Sequence, residues 1–305
     1  MAEIRPFQPS DAPAGAALLA DTFPQPAAVS AAAVLHWATS SPERAQTRIW
    51  VAYEGDALVG WADAQLKWSI AEEDVAEVGP AVDREHRRRG LGRELYRLAE
   101  SYALSLGARE LRTFVREDES ESLAFAERRG FRERRREHSW ALDLRGAAIP
   151  ELREQEGFRV VRLAELRERE QDLFELYDAA HADMPGDHRY TLQFDEWRTE
   201  TFENPELDFE TSAVVLAGDR PVSFAWLTTD PETRRASHEM TGTHPGFRGR
   251  GLARAAKEAT IRWAADAGLE YLITSNDGTN SPMLALNERL GYRRRQSIVE
   301  LAKTV

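Results

Sequence analysis

The sequence predicts an α/β chain of the mixed α+β kind: two tandem domains, each a mixed, mostly antiparallel sheet flanked by helices. Three observations carry this. At 305 residues and 34.4 kDa the chain has room for two domains of about 150 residues each. It also repeats itself at an offset of 161: residues 87–131 against 248–292 align without a gap, with 15 of 45 pairs identical, Gly90/Gly251, Gly107/Gly268 and Gly130/Gly291 among them. Finally, strands and helices do not alternate strictly within either copy, which argues against a doubly wound dinucleotide fold.

In the first copy, residues 3–7 alternate as a short strand, and Ser10-Asp11 can cap an Ala-rich helix that Pro24 and Pro26 end. A second helix is expected over 27–39. Residues 48–53 and 57–68 flank Glu54-Gly55-Asp56 and read as a hairpin. A strand over 75–82 leads into a glycine loop and a helix over 91–106, which Gly107 stops. A strand over 110–116, a helix over 120–129 and two short strands near 131–135 and 138–144 complete a domain spanning 1–146.

Residues 145–157 are rich in Gly, Pro and charge and read as a linker. The second domain, 157–305, restarts with a strand over 159–163, a charged helix over 165–180, an irregular segment over 181–192 and a short helix over 194–202. A hairpin of 209–217 and 221–229 turns about Gly218-Asp219. Strand 236–243, the second glycine loop, a helix over 252–267, a strand over 271–275, a helix over 280–290 and a last pair of short strands near 293–301 follow.

Each glycine loop joins a strand to an amphipathic helix: Arg87-Arg88-Arg89-Gly90-Leu91-Gly92 in the first copy, Arg248-Gly249-Arg250-Gly251-Leu252-Ala253 in the second. Glycine lets backbone approach a ligand, and a helix start offers free N–H groups and a positive dipole end, a geometry suited to pyrophosphate. A strand, an Arg-x-x-Gly-x-Gly/Ala loop, a helix, a strand and a helix ending in Gly130-Phe131 or Gly291-Tyr292 resemble the acetyl-CoA-binding core of the GCN5-related N-acetyltransferase (GNAT) family. Asn280-x-x-Met283-x-x-x-Asn287-x-x-Leu290-Gly291-Tyr292 is similar to the second core motif of its two-domain, mycothiol-synthase-like members. The resemblance covers roughly the central third of each half.

Composition bounds the partners. A formal net charge of −12 argues against general nucleic-acid binding, because phosphate backbones need a basic face; the Arg clusters at 87–89, 134–136 and 293–295 are local. Apolar runs fall far short of the roughly 18 residues of a membrane span, and no signal-like apolar segment follows Met1, so a cytoplasmic protein without a membrane partner is expected. With no cysteine there is no disulfide, thiolate metal site or Cys-linked acyl intermediate, so any acyl group passes directly from thioester to acceptor. No metal is expected: His181, Asp183, Asp187 and His188 lack a spacing that gathers them, and read as a polar acceptor loop.

The resemblance implies transfer of acetyl from acetyl-CoA to the amine of a small molecule or peptide, by a monomer or homodimer. It places Thr241, Gly242 and Thr243, then Arg248, Gly249, Arg250, Gly251, Leu252, Ala253 and Arg254, along the cofactor, with Asn280 and Asn287 on the second motif. The first-copy counterparts are Pro80, Ala81 and Val82, then Arg87, Arg88, Arg89, Gly90, Leu91, Gly92 and Arg93. Asn280 becomes Glu119 and Asn287 becomes Ala126 there, which favours the second copy as the working site. Strand periodicity puts Glu239 on one face with Thr241 and Thr243, a position for a general base, with His244 as a further candidate. The Tyr that many family members use to protonate the thiolate is replaced by Asn287, which leaves the acid among Tyr190, Tyr271 and Tyr292. The missing Tyr also motivates a second reading, a non-catalytic acyl-CoA-binding module.

Overall fold

The computed structural model describes residues 2–22, 29–152, 155–182, 190–230 and 232–305. In chain order the first part comprises β1 (Glu3–Pro6), α1 (Ala12–Thr22), α2 (Ala31–Ser40), β2 (Arg48–Glu54), β3 (Ala57–Leu66), β4 (Val75–Val78), β5 (Ala81–Val82), α3 (Leu91–Ser105), β6 (Glu110–Arg116), α4 (Ser120–Glu127) and β7 (Arg132–Asp143). There follow β8 (Phe158–Arg162), α5 (Glu170–His181), α6 (Phe194–Trp197), β9 (Ala213–Ala217), β10 (Arg220–Asp230), β11 (Arg235–Thr243), α7 (Leu252–Asp266), β12 (Tyr271–Asp277), α8 (Ser281–Arg289) and β13 (Arg293–Thr304). The charged helix expected from 165 begins only at Glu170, after a 3-10 turn, and α6 runs on into a π turn over Arg198–Phe202. The segment 183–189, with Asp183, Asp187 and His188, lies outside the described residues.

The chain forms two compact units, Met1–Glu137 with Gln296–Val305, and His138–Arg295. This shares the chain differently from a cut at the 145–157 linker: the last ten residues belong with the first unit. There the C-terminal part of β13 pairs antiparallel with β6, from Ile298↔Arg116 to Thr304↔Glu110. Each expected pair of short strands, 131–135/138–144 and 293–301, is one twelve-residue strand.

In the first unit β1, β2, β3 and β4 run antiparallel to their neighbours, and β4 pairs in parallel with β6. Residues of β3 alternate between two faces: Ala62 and Ala64 pack with Leu95, Ala99 and Ala103 of α3, while Trp61 packs with Ala12 and Ala16 of α1 and Val34 of α2. The second unit repeats the plan. β8, β9, β10 and β11 are antiparallel and β11 pairs in parallel with β12. α7 covers one face through Ala256, Ala259 and Trp263, and α5 covers the other through Leu173, Leu176 and Tyr177.

Among the described residues no helix is long and apolar enough to cross a membrane. Two of the three Arg clusters are tied up in ion pairs: Arg134 and Arg135 hold Glu300, Arg136 holds Glu133 and Glu117, and Arg87, Arg88 and Arg89 meet Glu119, Glu121 and Glu54. In the third, Arg294 lies 3.1 Å from His138 Nδ1.

Candidate active site

In both units the parallel pair of strands separates after three residues. β4 matches β6 over Val75–Glu77 and β11 matches β12 over Arg235–Ser237, and beyond these the strands diverge. A wedge between parallel strands leaves backbone N–H and C=O groups on its inner edges without a ladder partner, which an extended amide-bearing ligand can engage.

The glycine loops lie at the wide end of each wedge and are built alike. Arg87 Nε donates to the Val82 carbonyl and Arg248 Nε to the Thr243 carbonyl, each at 3.1 Å. Asp83 accepts from the Glu85 N–H and His244 from the Gly246 N–H, each at 3.1 Å, capping equivalent 3-10 turns. Gly90 (φ 92°) and Gly251 (φ 77°) adopt the left-handed conformation that starts α3 and α7, and among the described residues no side chain caps either helix. Their first-turn N–H groups therefore face outward, free for an anion.

The first-unit wedge opens into a cavity of 590 Å³, lined on opposite walls by Pro80–Val82 and Thr113–Arg116, with Tyr96, Ala126 and Phe131 inside and Arg87–Gly90, Gly92 and Arg93 at the mouth. Glu119, which looked unfavourable beside a polyanion, is neutralised by Arg84 and Arg87, each at 3.1 Å. Asn280 caps α8, accepting from the Met283 N–H. Asn287 is fully buried and donates to Asn276 at 2.6 Å.

The profile of the family described as Acetyltransferase (GNAT) family matches residues 14–131 and 170–292, one match per unit. The chain belongs to the GNAT family. The mycothiol acetyltransferase of Thermobifida fusca is 30% identical over 84% of this chain and 83% of its own, and that of Rhodococcus opacus 28% identical over 82% and 81%. A tandem GNAT protein from the clavulanic acid biosynthesis pathway superposes with a TM-score of 0.77 at 20% identity, over 100% of this chain and 98% of that one, which shows the shared fold. This GNAT chain is thus an acetyl-CoA-dependent N-acetyltransferase whose acceptor is an amine. The two glycine cradles and the arginine-rimmed cavity fit coenzyme A: helix-start N–H groups for the diphosphate and a wedge for the pantetheine arm.

In the second GNAT unit β10 and β11 lose register between Trp226↔Met240 and Leu227↔His238, leaving Glu239 as the extra residue of a β-bulge. A bulge breaks alternation and re-aims a side chain, so the expected sharing of one face by Glu239, Thr241 and Thr243 is interrupted. The Glu239 side chain is exposed, yet partial desolvation by the surrounding strands, with repulsion from Glu206 second, raises its pKa above the usual carboxylate range. Its charge in turn raises the pKa of Tyr177, already pushed up by burial. His181, on the same helix, packs at a tilt on Tyr177, ring centres 4.3 Å apart, and edge-to-face with Tyr190 at 5.1 Å.

Other expected residues have structural employment. Both ring nitrogens of His244 are engaged, Nδ1 by the turn and Nε2 by Arg220 at 3.1 Å. Gly242 faces α5, where an added Cβ would lie 2.6 Å from Ala180 Cβ, so its glycine serves helix packing. Of the three tyrosines, Tyr271 meets Arg145 at its hydroxyl, Tyr292 is buried against His238, and Tyr190 meets the His181 ring. Sequence reasoning missed Lys257, fully buried on α7 with a pKa lowered by burial to about 7 and no hydrogen-bond partner among the described residues. It also missed Asp63, whose pKa burial raises to about 7. The sequence signals were a lysine among the apolar positions of a helix and an Asp two residues from a Trp in a strand.

Proposed function

We propose that the second unit transfers acetyl to a small-molecule amine, with Glu239 as the general base. The observation that carries this is the bulge carboxylate: accessible to a ligand, raised in pKa, and placed on the strand whose inner edge flanks the wedge. Acetyl-CoA supplies the activated acetyl thioester. The first-turn N–H groups of α7 hold its diphosphate, with Arg248, Arg250 and Arg254 around them, while the β11 inner edge over Thr241–Thr243 aligns the arm. Glu239, with Glu206 nearby, attracts an ammonium and takes its proton, which yields the neutral nucleophile that acyl transfer requires. A small acceptor is favoured by the relatives, which carry the name mycothiol acetyltransferase. Tyr190, partly exposed beside the buried His181, offers aromatic surface to such an acceptor.

The test is coenzyme A release from acetyl-CoA with a panel of small primary amines, glucosamine among them, and a panel of peptides, for the natural protein and Glu239→Gln. The expected result is transfer to a small amine, with kcat lowered by about 10²-fold or more in the variant and KM for acetyl-CoA unchanged. Transfer to peptides alone, or an unaltered kcat in Glu239→Gln, overturns the reading.

A further inference from the structure

We propose that the first unit is a second acetyl-transfer centre, in which Asp63 takes the proton from an amine that reaches the parted β4 and β6 strands from the side of α1. This rests on the acetyl-CoA reading of the glycine cradles and goes beyond the assignment of transfer to the second unit.

The duplication sets the problem. The position of Glu239 is occupied by Val78 in the first unit, so that copy has no carboxylate at the corresponding place on the strand before its loop. The pairing of β3 with β4 and β5 keeps one register from Gly60↔Val82 to Leu66↔Ala76, which sets Asp63 opposite Gly79, one residue beyond Val78. The neighbouring strand thus returns a carboxylate to the place where the wedge opens.

The contact is close. A Cβ on residue 79 would lie 2.7 Å from Asp63 Oδ1, so the carboxylate occupies the space a larger residue would fill, and glycine is required there for that reason. Pro80, the next residue, is cavity wall. Asp63 shares its face of β3 with Trp61, the face covered by α1, and Thr22 at the end of α1 also lines the cavity. The space therefore runs from the arginine mouth toward α1 along Pro80, and Asp63 sits just behind that wall, against Gly79. Trp61 Nε1 donates to Asp63 Oδ1 at 3.0 Å and fixes the carboxylate, while Trp37 stacks on Trp61 at 5.9 Å. Burial, with the charge of Glu77 on β4 adding to it and the Trp61 hydrogen bond opposing, brings the Asp63 pKa to about 7, suited to proton transfer near neutral pH.

In the step, Asp63 removes one proton from the ammonium. The nitrogen then bonds to the thioester carbonyl carbon, and the carbon–sulfur bond breaks with its electron pair on sulfur. As the amide forms the nitrogen sheds its second proton, which the departing thiolate takes up, so the products are the acetylated amine, coenzyme A and the proton held by Asp63. The ligand class is a primary amine.

The experiment measures coenzyme A release, with water and a panel of primary amines as acceptors, for the natural protein, Asp63→Asn, Glu239→Gln and the double variant, all full length. Asparagine keeps the acceptor for Trp61, so a merely structural Asp63 tolerates it. Glu239→Gln is expected to retain release with some of the amines, and adding Asp63→Asn to lower that remainder at least tenfold. A remainder unchanged within twofold by Asp63→Asn overturns the inference, as does a Glu239→Gln protein with no release above background. Undiminished activity in Glu239→Gln instead overturns the second-unit reading and, if Asp63→Asn abolishes it, leaves this one standing.

Discussion

His238 Nε2 lies 2.8 Å from the Tyr292 hydroxyl, joining β11 to the end of the α8 turn behind the second wedge. Both residues are buried, and His238 Nδ1 has no hydrogen-bond partner among the described residues. The first unit has Glu77 and Phe131 at these positions, so the bond is particular to the second. Tyr292→Phe removes the last partner of a buried imidazole. We expect a loss of about 1–3 kcal/mol, read as a lower urea midpoint.

Lys257, with Nζ 5.1 Å from the Tyr292 ring centre, makes stability depend on pH. Burial lowers its pKa from the ordinary 10.5 to about 7 in the folded protein. Below pH 7 folded and unfolded chains both carry the proton and the full cost of burying it is felt. Between 7 and about 10.4 only the unfolded chain keeps it, so stability rises with pH, then levels off. Lys257→Met should therefore be more stable than the natural protein at pH 6, by on the order of 4 kcal/mol. That advantage should shrink toward pH 10, which denaturation midpoints across the range will show.

Gly242→Ala tests the packing of α5 on β11. The new methyl would sit 2.6 Å from Ala180 Cβ and 2.9 Å from the Phe224 ring, so helix or strand must shift. A cost of about 1–3 kcal/mol is expected, with a lowered Tm. An equal Tm would mean that the helix adjusts freely.

Glu239 also gives activity a pH signature. Its raised pKa means the basic form is lost as pH falls through a value above the ordinary carboxylate range. The kcat/KM profile should show an acid limb inflecting above the free-glutamate value of about 4.3, and Glu239→Gln should abolish that limb.

Much of the fold was legible in the residues. The repeated Arg-x-x-Gly loops, the Gly107 and Gly268 helix stops and the Gly55 and Gly218 hairpins are local chemistry, and local chemistry survives in sequence. The long strands β7 and β13 were not, because Arg134–Arg136 and Arg293–Arg295 break the apolar alternation that marks a strand. What holds part of that region is Glu300, fully buried and met by Arg112, Arg134 and Arg135, a pairing between distant residues that no local pattern announces. At the site, the Glu239 bulge was invisible because a bulge is a property of two strands' register. Asp63 escaped notice for the same reason: its importance comes from lying opposite Gly79.

The return of residues 296–305 into the first unit has a consequence for synthesis. Domains usually fold in the order in which they emerge from the ribosome, the amino-terminal one first. Here β6 waits for its antiparallel neighbour until the whole of the second unit has been read, so the earlier-made unit is the later one to be finished.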